Sequence, residues 1–252
     1  MVAALAASLA RAGCVAAEEE AAELAAVAGD DRTLLVSLGD RRRSGEPIAW
    51  ITGGADFGDL TVRVDPGVYV PRWQSLPLVR RAAVRLPARG TAIDLCTGSG
   101  AVAAALRAER PGARIVATDC DARAVACARA NGVEAYPGDL FLGVPPELLG
   151  RTDVVVAVVP YVPTPELRVL PRDTLLFEDA SHYDGGPDGT DVLRRVVVAA
   201  PRYLRSGGAL LLELGGDQAV ALEPVLERAG YGSVQTWSDA DGDLRGVEAT
   251  LR

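Results

Sequence analysis

Residues 91–100 read Thr-Ala-Ile-Asp-Leu-Cys-Thr-Gly-Ser-Gly and decide the fold. The apolar run that ends at Leu95 predicts a buried strand, and the Ala-rich segment after Gly100 predicts a helix directly behind the turn. Glycines let the chain turn tightly and let a ligand approach the backbone. The N-terminus of the following helix offers N–H groups to a negatively charged group. A lone G-x-G is a weak signal, because a plain strand-to-helix turn has the same composition.

This stretch begins an alternation of strands and helices that continues to residue 252. Strands are predicted over residues 91–95, 114–118, 133–136, 153–159, 209–214, 231–237 and 247–251. Helices are predicted over residues 100–109, 122–130, 190–204 and 218–229. Such alternation is typical of an α/β fold with a Rossmann-like, seven-stranded, mostly parallel sheet and right-handed crossovers. The last two strands have no helix between them, which predicts an antiparallel hairpin at the edge.

Three units follow from this pattern: a small helical N-terminal region over residues 1–55, a hairpin with a connecting helix over 56–90, and the α/β unit over 91–252. The helical region is one Ala-rich segment, which Gly13 interrupts, and a second helix over residues 32–38.

The segments that flank these helices carry charges and turn residues. The charges at residues 40–43 are expected to be a solvated helix end. Alternating apolar residues on both sides of Asp65-Pro66-Gly67 predict a β-hairpin over residues 57–70. A helix over residues 75–86 is expected to be capped by Ser75.

Composition excludes several classes of protein. The chain has 252 residues, a net charge of −8 and a pI near 4.8, which disfavours binding to nucleic acid or to an anionic membrane surface. It has no lysine, so Schiff-base chemistry and a P-loop lysine are excluded. Four cysteines without a C-x-x-C pair and a single histidine make a metal site unexpected. Free cysteines and the lack of about 18 consecutive apolar residues predict a cytoplasmic protein without a membrane span.

Acidic residues follow the second and third predicted strands. Asp119 comes about 20 residues after the glycine turn, where a carboxylate can bind two ribose hydroxyls. It could also cap the next helix, although Asp121 could do so equally well. Gly138-Asp139-Leu140-Phe141 offers an acid and apolar neighbours for an adenine ring. Because the carboxyl ends of adjacent parallel strands form the ligand edge of such sheets, a nucleotide-type cofactor is predicted there.

These residues, together with Pro160-Tyr161, resemble class I S-adenosylmethionine-dependent methyltransferases. Residues 42–53, 64–72 and 185–191 are similar, more narrowly, to the HemK-type protein-glutamine methyltransferases. The resemblance extends from Arg41 to Arg252 and looks closest to an actinobacterial-like branch of that family. It implies that residues 91–252 are an S-adenosylmethionine-binding methyltransferase domain.

The resemblance also implies roles for individual residues. Gly98 and Gly100 would face the methionine part of S-adenosylmethionine, Asp119 would bind the ribose, and Asp139 with Leu140 would flank the adenine. The predicted cofactor-binding residues are Asp94, Cys96, Thr97, Gly98, Gly100, Asp119, Asp139 and Leu140. The predicted substrate-binding residues are Arg72, Trp73, Val158, Val159 and Pro160, and the candidate catalytic residues are Tyr161 and His182.

Two departures from the family pattern affect the substrate side. Val158-Val159-Pro160-Tyr161 stands where the family has Asn-Pro-Pro-Tyr, and valine cannot hydrogen-bond the target amide through its side chain. After Arg72 the family continues with Pro, an acid, Thr and Glu, whereas this chain has residues 73–76, Trp-Gln-Ser-Leu. These departures favour a methyltransferase for a small metabolite or an unusual protein side chain, which would methylate a release-factor glutamine slowly or not at all.

Two alternatives stay open beside this interpretation. A protein-glutamine methyltransferase acting on a release factor could orient the amide through backbone carbonyls near Val158 and Val159. A non-catalytic protein that binds the cofactor or a partner is the third candidate, which the intact Gly98, Gly100 and Asp119 disfavour.

The two candidate catalytic side chains also have simpler interpretations. His182 is the single histidine and would be a general base if the substrate were a hydroxyl or a phenol. The simpler interpretation is a solvent-exposed loop histidine. Tyr161 is an active-site wall by resemblance and a core aromatic residue otherwise.

Overall fold

A computed structural model describes residues 1–170 and 172–252. The helical N-terminal region comprises four helices: α1 (Val2–Arg11), α2 (Ala17–Ala28), α3 (Arg32–Arg43) and α4 (Ile48–Thr52). Gly13, which has φ near +95°, lies just after α1 and separates it from α2, as the sequence predicts. The helices bury an apolar cluster of their own, in which Leu9 and Leu24 are fully buried.

Helix α3 is longer than predicted, and its charged end is not simply solvated. Arg42 is buried, and its Nε lies 2.8 Å from Glu20 Oε2 on α2. A guanidinium and a carboxylate removed from water need each other as partners. The expectation of a solvated end is therefore wrong for Arg42, which ties α3 to α2.

The hairpin is shorter and earlier than predicted. Strands β1 (Gly54–Phe57) and β2 (Leu60–Arg63) are antiparallel, with Phe57 opposite Leu60, so the turn falls at Gly58 and Asp59. Gly58 has φ near +63°, a conformation that favours glycine in a two-residue turn. The apolar residues after β2 instead pack against the helical region, where the Trp50 indole donates to the carbonyl of Val68 at 2.9 Å.

Helix α5 (Leu76–Arg85) follows Ser75, which precedes it without the expected side-chain cap. Ser75 is instead buried and lies near enough to the Glu213 side chain to lower its pKa. The start of α5 therefore lies close to the end of a sheet strand, at the site described below.

The main sheet begins at residue 91 and has seven strands. Its elements are β3 (Thr91–Leu95), α6 (Ala101–Glu109), β4 (Arg114–Asp119), α7 (Ala122–Ala130), β5 (Glu134–Pro137), β6 (Thr152–Ala157), α8 (Arg172–Phe177), α9 (Asp191–Ala199), β7 (Leu204–Glu213), α10 (Gln218–Arg228), β8 (Tyr231–Ser238) and β9 (Leu244–Leu251). The strand order is β5-β4-β3-β6-β7-β9-β8, and β9 is antiparallel to both of its neighbours. The Rossmann-like fold and the antiparallel last strand are thus confirmed.

Both faces of the sheet are buried. On β6, Val154 and Val156 face the apolar cluster under α5, α6 and the hairpin, whereas Val155 and Ala157 face the cluster under α9 and α10. Alternate residues of a strand point to opposite faces, so a continuous apolar run fits a strand covered on both sides. None of the helices in the described part of the chain is long and apolar enough to cross a membrane.

Candidate active site

The carboxyl ends of β3 and β4 bring the glycine turn next to Asp119. Leu95 pairs with Thr118, so the turn after β3 and the end of β4 lie side by side. Asp119 Oδ2 accepts a hydrogen bond from Gly98 N at 2.9 Å, and Oδ1 accepts one from Asp121 N at 2.9 Å. Each carboxylate oxygen keeps a second lone pair that a ligand hydroxyl can use. Burial raises the pKa of Asp119, although these backbone donors and His182 act in the opposite direction.

Gly98 and Gly100 serve different purposes. Gly98 has φ near +55°, and within 4 Å a Cβ built on it would meet Tyr69 Cβ, at 3.9 Å, as its single described neighbour. Gly98 therefore leaves room for a ligand against the backbone. Gly100 has φ near +82°, and a Cβ there would meet Ala128 and Val133 at 3.0 Å. Gly100 is thus required for the close packing of α6 against α7. It is not required for access by a ligand.

Asp94 supports the turn from behind. Its side chain is 1% exposed, and Oδ2 accepts a hydrogen bond from Thr97 Oγ1 at 2.6 Å. Burial raises the pKa of Asp94 to about 7, because charge on a buried carboxyl is poorly solvated. Asp94 and Thr97 therefore shape the turn, and direct contact of either with a cofactor stays a prediction.

Two residues at this edge hold a left-handed backbone without being glycine. Cys96 has φ near +55° and Leu140 has φ near +52°, which costs conformational energy for an L-residue. Thr118 Oγ1 donates to the carbonyl of Leu140 at 2.7 Å and helps to hold that turn. The neighbouring Asp139 carboxylate is exposed and lies 2.5 Å from Arg195 Nη2. A ligand ring would rest against Leu140 more readily than against Asp139.

His182 lies near this cofactor edge, where its charge acts to lower the pKa of Asp119. It is half-buried rather than solvent-exposed, its ring meets Tyr69 edge-on with centroids 6.4 Å apart, and its Nδ1 is buried without a partner among the described atoms. The interpretation as a solvated loop histidine is therefore wrong. Its role as a general base stays a prediction.

A cleft of about 920 Å³ opens between the helical N-terminal region and the sheet edge. Its N-terminal wall comes from residues 12–16 and 42–45, at the ends of α1 and α3. Its opposite wall is formed by Tyr69, Arg72, Gln74, Tyr161, Tyr183, Glu213 and Arg245. Tyr69 also lies over Gly98, so this one side chain connects the cleft to the cofactor edge.

Arg72 organises one side of the cleft. Its Nη2 lies 3.1 Å from Glu178 Oε1 and 3.2 Å from the Tyr183 hydroxyl, and its guanidinium lies 5.7 Å from the Tyr69 ring centroid. Burial raises the pKa of Tyr69 to about 12, so the phenol stays neutral at physiological pH. The predicted substrate residue Arg72 and the loop acid Glu178 are thus brought together.

Glu213 organises a second group of side chains in the cleft. It is 5% exposed, and Oε1 accepts a hydrogen bond from the Tyr161 hydroxyl at 3.0 Å. Burial raises the pKa of Glu213, which Ser75 and Tyr161 partly offset. Glu213 Oε2 and Gln74 Oε1 are buried and have no hydrogen-bond partner within residues 1–170 and 172–252.

The residues expected at the substrate motif divide between core and cleft. Val158 is half-buried and packs on the cluster under α5 and α6, while Val159 is buried in the opposite cluster. Pro160 is half-buried and leads the chain to Tyr161, whose side chain does line the cleft. Trp73 is 67% exposed beside the cleft residues that flank it in sequence. Tyr161 thus lines the cleft while packing against the core cluster under α9 and α10, and its role in an active site stays a prediction.

Sequence reasoning missed the roles of Gln74, Glu213, Tyr69 and Arg245. A signal existed for Glu213, because it is the one acid that ends the apolar run Ala209–Leu212. Gln74 was visible as a departure from the family pattern, yet nothing local indicated that its oxygen is buried. No group of three or more His, Cys, Asp or Glu side chains placed to hold a metal ion occurs among the residues described.

Fold and cofactor edge together define a class I S-adenosylmethionine-dependent methyltransferase. The family model described as "Methyltransferase small domain" matches residues 73–137. Among solved structures, ribosomal protein L11 methylase from Lactobacillus delbrueckii subsp. bulgaricus is similar, with a TM-score of 0.54 at 17% identity over 76% of this chain and 86% of that one.

Curated relatives narrow the family. The chain is 35% identical to the release factor glutamine methyltransferase of Geobacter sulfurreducens, over 80% of this chain and 72% of that protein. It is 36% identical to the enzyme of the same name from Mycolicibacterium smegmatis, over 81% and 74%. The chain therefore belongs to the HemK-type release factor glutamine methyltransferase family, and it is an enzyme that uses S-adenosylmethionine.

The comparisons overturn the expectation of a substrate pocket diverged towards a small metabolite or an unusual side chain. Similarity to release factor glutamine methyltransferases covers 80% or more of the chain, so the changed residues at 73–76 and 158–159 do not mark another substrate class. The physical error was to treat the Val158 side chain as the wall of the pocket. Val158 is half-buried against the apolar cluster under α5 and α6, and the polar groups of the cleft come from other elements.

Proposed function

We propose that this enzyme transfers a methyl group from S-adenosylmethionine to the side-chain amide nitrogen of a glutamine in a release factor. The protein substrate is inferred from the relatives, whose names state this activity. The observation that carries the proposal is the position of Tyr69, which lines the cleft and also lies over Gly98. A side chain that enters the cleft would thereby reach the cofactor edge.

The residues at the cofactor edge fit the cofactor. Asp119 would bind ribose hydroxyls through its remaining lone pairs, the space over Gly98 would admit the methionine part, and Leu140 would pack against adenine. When bound, S-adenosylmethionine would supply a methyl group made electrophilic by its positively charged sulfur. The amide nitrogen would gain the methyl group as the bond from that carbon to sulfur breaks, which would leave a neutral thioether, and the proton lost by the nitrogen would pass to water.

The chain's own task is alignment and exclusion of water. An amide nitrogen is a weak nucleophile because its lone pair is delocalised into the carbonyl, so the gain must come from orientation. The Arg72–Glu178 pair and the Tyr161–Glu213 pair hold in place the wall of the cleft that faces the helical N-terminal region. Gln218 Nε2 donates to the carbonyl of Tyr161 at 2.6 Å and holds the main chain after β6 in place.

The helical N-terminal region favours a protein substrate over a free metabolite. Its residues 12–16 and 42–45 form one wall of the cleft, so the cleft is the gap between two packed units rather than an enclosed cavity. A projecting loop with one glutamine at its tip can enter such a gap. Val15 and Trp73 are exposed on this side and offer apolar contact to the loop.

The test is methyl transfer to a purified release factor. The wild-type enzyme, S-adenosylmethionine and the release factor are incubated, and mass spectrometry of the digested product locates any added methyl group. We expect one methyl group on one glutamine, and none with the Asp119→Ala variant under the same conditions. A wild-type enzyme that binds S-adenosylmethionine and leaves every release-factor glutamine unmodified would overturn the proposal.

A further inference from the structure

Three buried carboxyl or amide oxygens in or beside the cleft have no hydrogen-bond partner within residues 1–170 and 172–252: Gln74 Oε1 and Glu213 Oε2, which line it, and Glu178 Oε2 of the Arg72 pair. Gln74 Oε1 and Glu213 Oε2 are both hydrogen-bond acceptors, and both residues line the cleft. A buried acceptor without a donor is unfavourable, so native proteins seldom leave two in one site unless a ligand satisfies them. A ligand group that displaces water from these oxygens therefore has to bring donors of its own.

Both acceptors line the same cleft. Ser75, the next residue after Gln74, is buried and lies near enough to the Glu213 side chain to lower its pKa. Tyr161 fixes the other oxygen of Glu213, at 3.0 Å, which leaves Oε2 for a ligand. Gln74 and Glu213 thus face one region of the cleft, although 139 positions separate them in the sequence.

The proposed glutamine substrate carries such donors. The two arginines of the cleft are already paired with acids, Arg72 with Glu178 at 3.1 Å and Arg245 with Asp239 at 2.5 Å. A neutral primary amide supplies two N–H donors without a charge.

We propose that Gln74 Oε1 and Glu213 Oε2 accept the two N–H groups of the target glutamine amide and thereby select glutamine. This inference rests on the proposed function. The pair would take the place of the asparagine side chain that the family resemblance implies at position 158, where this chain has valine. Acceptors on both N–H groups also increase electron density on the nitrogen and fix its orientation.

Peptide binding tests the pair separately from catalysis. The peptide is the release-factor segment that carries the methylated glutamine, and its partner peptide has methionine at that position, which is similar in size and has no N–H donor. Calorimetry gives the affinity ratio of the two peptides. We expect wild-type enzyme to prefer the glutamine peptide by roughly tenfold or more, because the methionine peptide leaves both acceptors unsatisfied.

Matched variants test whether Gln74 and Glu213 cause the preference for the glutamine peptide. Gln74→Met should reduce the preference several-fold, whereas Gln74→Glu, which keeps an acceptor, should retain most of it. Glu213→Gln keeps an acceptor for Tyr161 but can turn its own NH2 group into the cleft, so it should also reduce the preference. Tyr231→Phe is the control, because the Tyr231 hydroxyl is likewise buried without a partner but lies in the core cluster under α9 and α10.

The outcomes separate this inference from the proposed function. If wild-type enzyme methylates no release-factor glutamine, the proposed function fails, and the inference that rests on it is overturned as well. If it methylates glutamine but Gln74→Met and Glu213→Gln keep the wild-type affinity ratio, the inference is overturned while the function stands. Melting curves and S-adenosylmethionine affinity confirm that each variant is folded, and a loss of ratio in Tyr231→Phe would also count against the pair.

Discussion

The buried carboxyl of Asp94 should make stability depend on pH in a particular direction. Its pKa in the folded protein is about 7, whereas the ordinary value is 3.8. As pH rises from about 4 to about 7, the unfolded chain loses this proton before the folded chain does. The free energy of unfolding therefore falls over that window and is level above it.

The magnitude follows from the two pKa values. At about 1.4 kcal/mol per pH unit, the interval from 3.8 to about 7 corresponds to about 4 kcal/mol of stability lost at pH 8. The Asp94→Asn variant has no proton to release at this position. It should unfold with nearly the wild-type free energy at pH 4 and be more stable than wild type by several kcal/mol at pH 8.

Urea unfolding, followed by the fluorescence of the three tryptophans, measures this difference. The wild-type enzyme and Asp94→Asn are compared at pH 5 and pH 8, and the exposed Asp30 provides the control variant Asp30→Asn. The stability gap between Asp94→Asn and wild type should widen by about 3 kcal/mol between these two pH values. A gap that is the same at both would refute the reasoning about burial.

Three further perturbations test the cofactor edge, the helical region and the cleft rim. Asp119→Ala should weaken S-adenosylmethionine binding by about 1.5–3 kcal/mol in calorimetry, because a charge-assisted hydrogen bond is lost. Asp121→Ala should leave the affinity unchanged, and an unchanged affinity of Asp119→Ala would remove Asp119 from the site. Arg42→Ala should lower the stability of the helical region by about 3–5 kcal/mol, because it leaves Glu20 partly buried without this cation. Amide hydrogen exchange measures this loss, and protection in α2 that matches wild type would contradict the prediction. Trp73→Ala should change the free energy of unfolding by less than about 0.5 kcal/mol, since the side chain is exposed. The same variant should raise KM for the release factor, and an unaltered KM would argue against contact between Trp73 and the release factor.

Much of the fold could be predicted because it rests on local patterns. Helix α7 matches its predicted bounds, as does strand β3, since both combine clear apolar periodicity with sharp turn residues. The hairpin was misplaced because Asp65-Pro66-Gly67 is a real turn, with Val68 N bonded to the carbonyl of Asp65 at 3.0 Å. The residues that flank this turn pack against the helical region instead of pairing with each other as strands. A local sequence pattern does not distinguish between packing and strand pairing.

The sequence by itself determined the cofactor edge of this enzyme. Parallel neighbouring strands end on one side, so the order of β3 and β4 alone brings Gly98 beside Asp119. The cleft that we propose for the substrate was decided by tertiary structure, which brings Gln74 and the end of β7 at Glu213 to the same cleft. Burial then makes the unpartnered oxygens of these two residues unusual, while the same fold packs Val158 against an apolar cluster. Burial depends on every element packed around an atom, and that information is spread over the whole chain rather than contained in any one stretch of it.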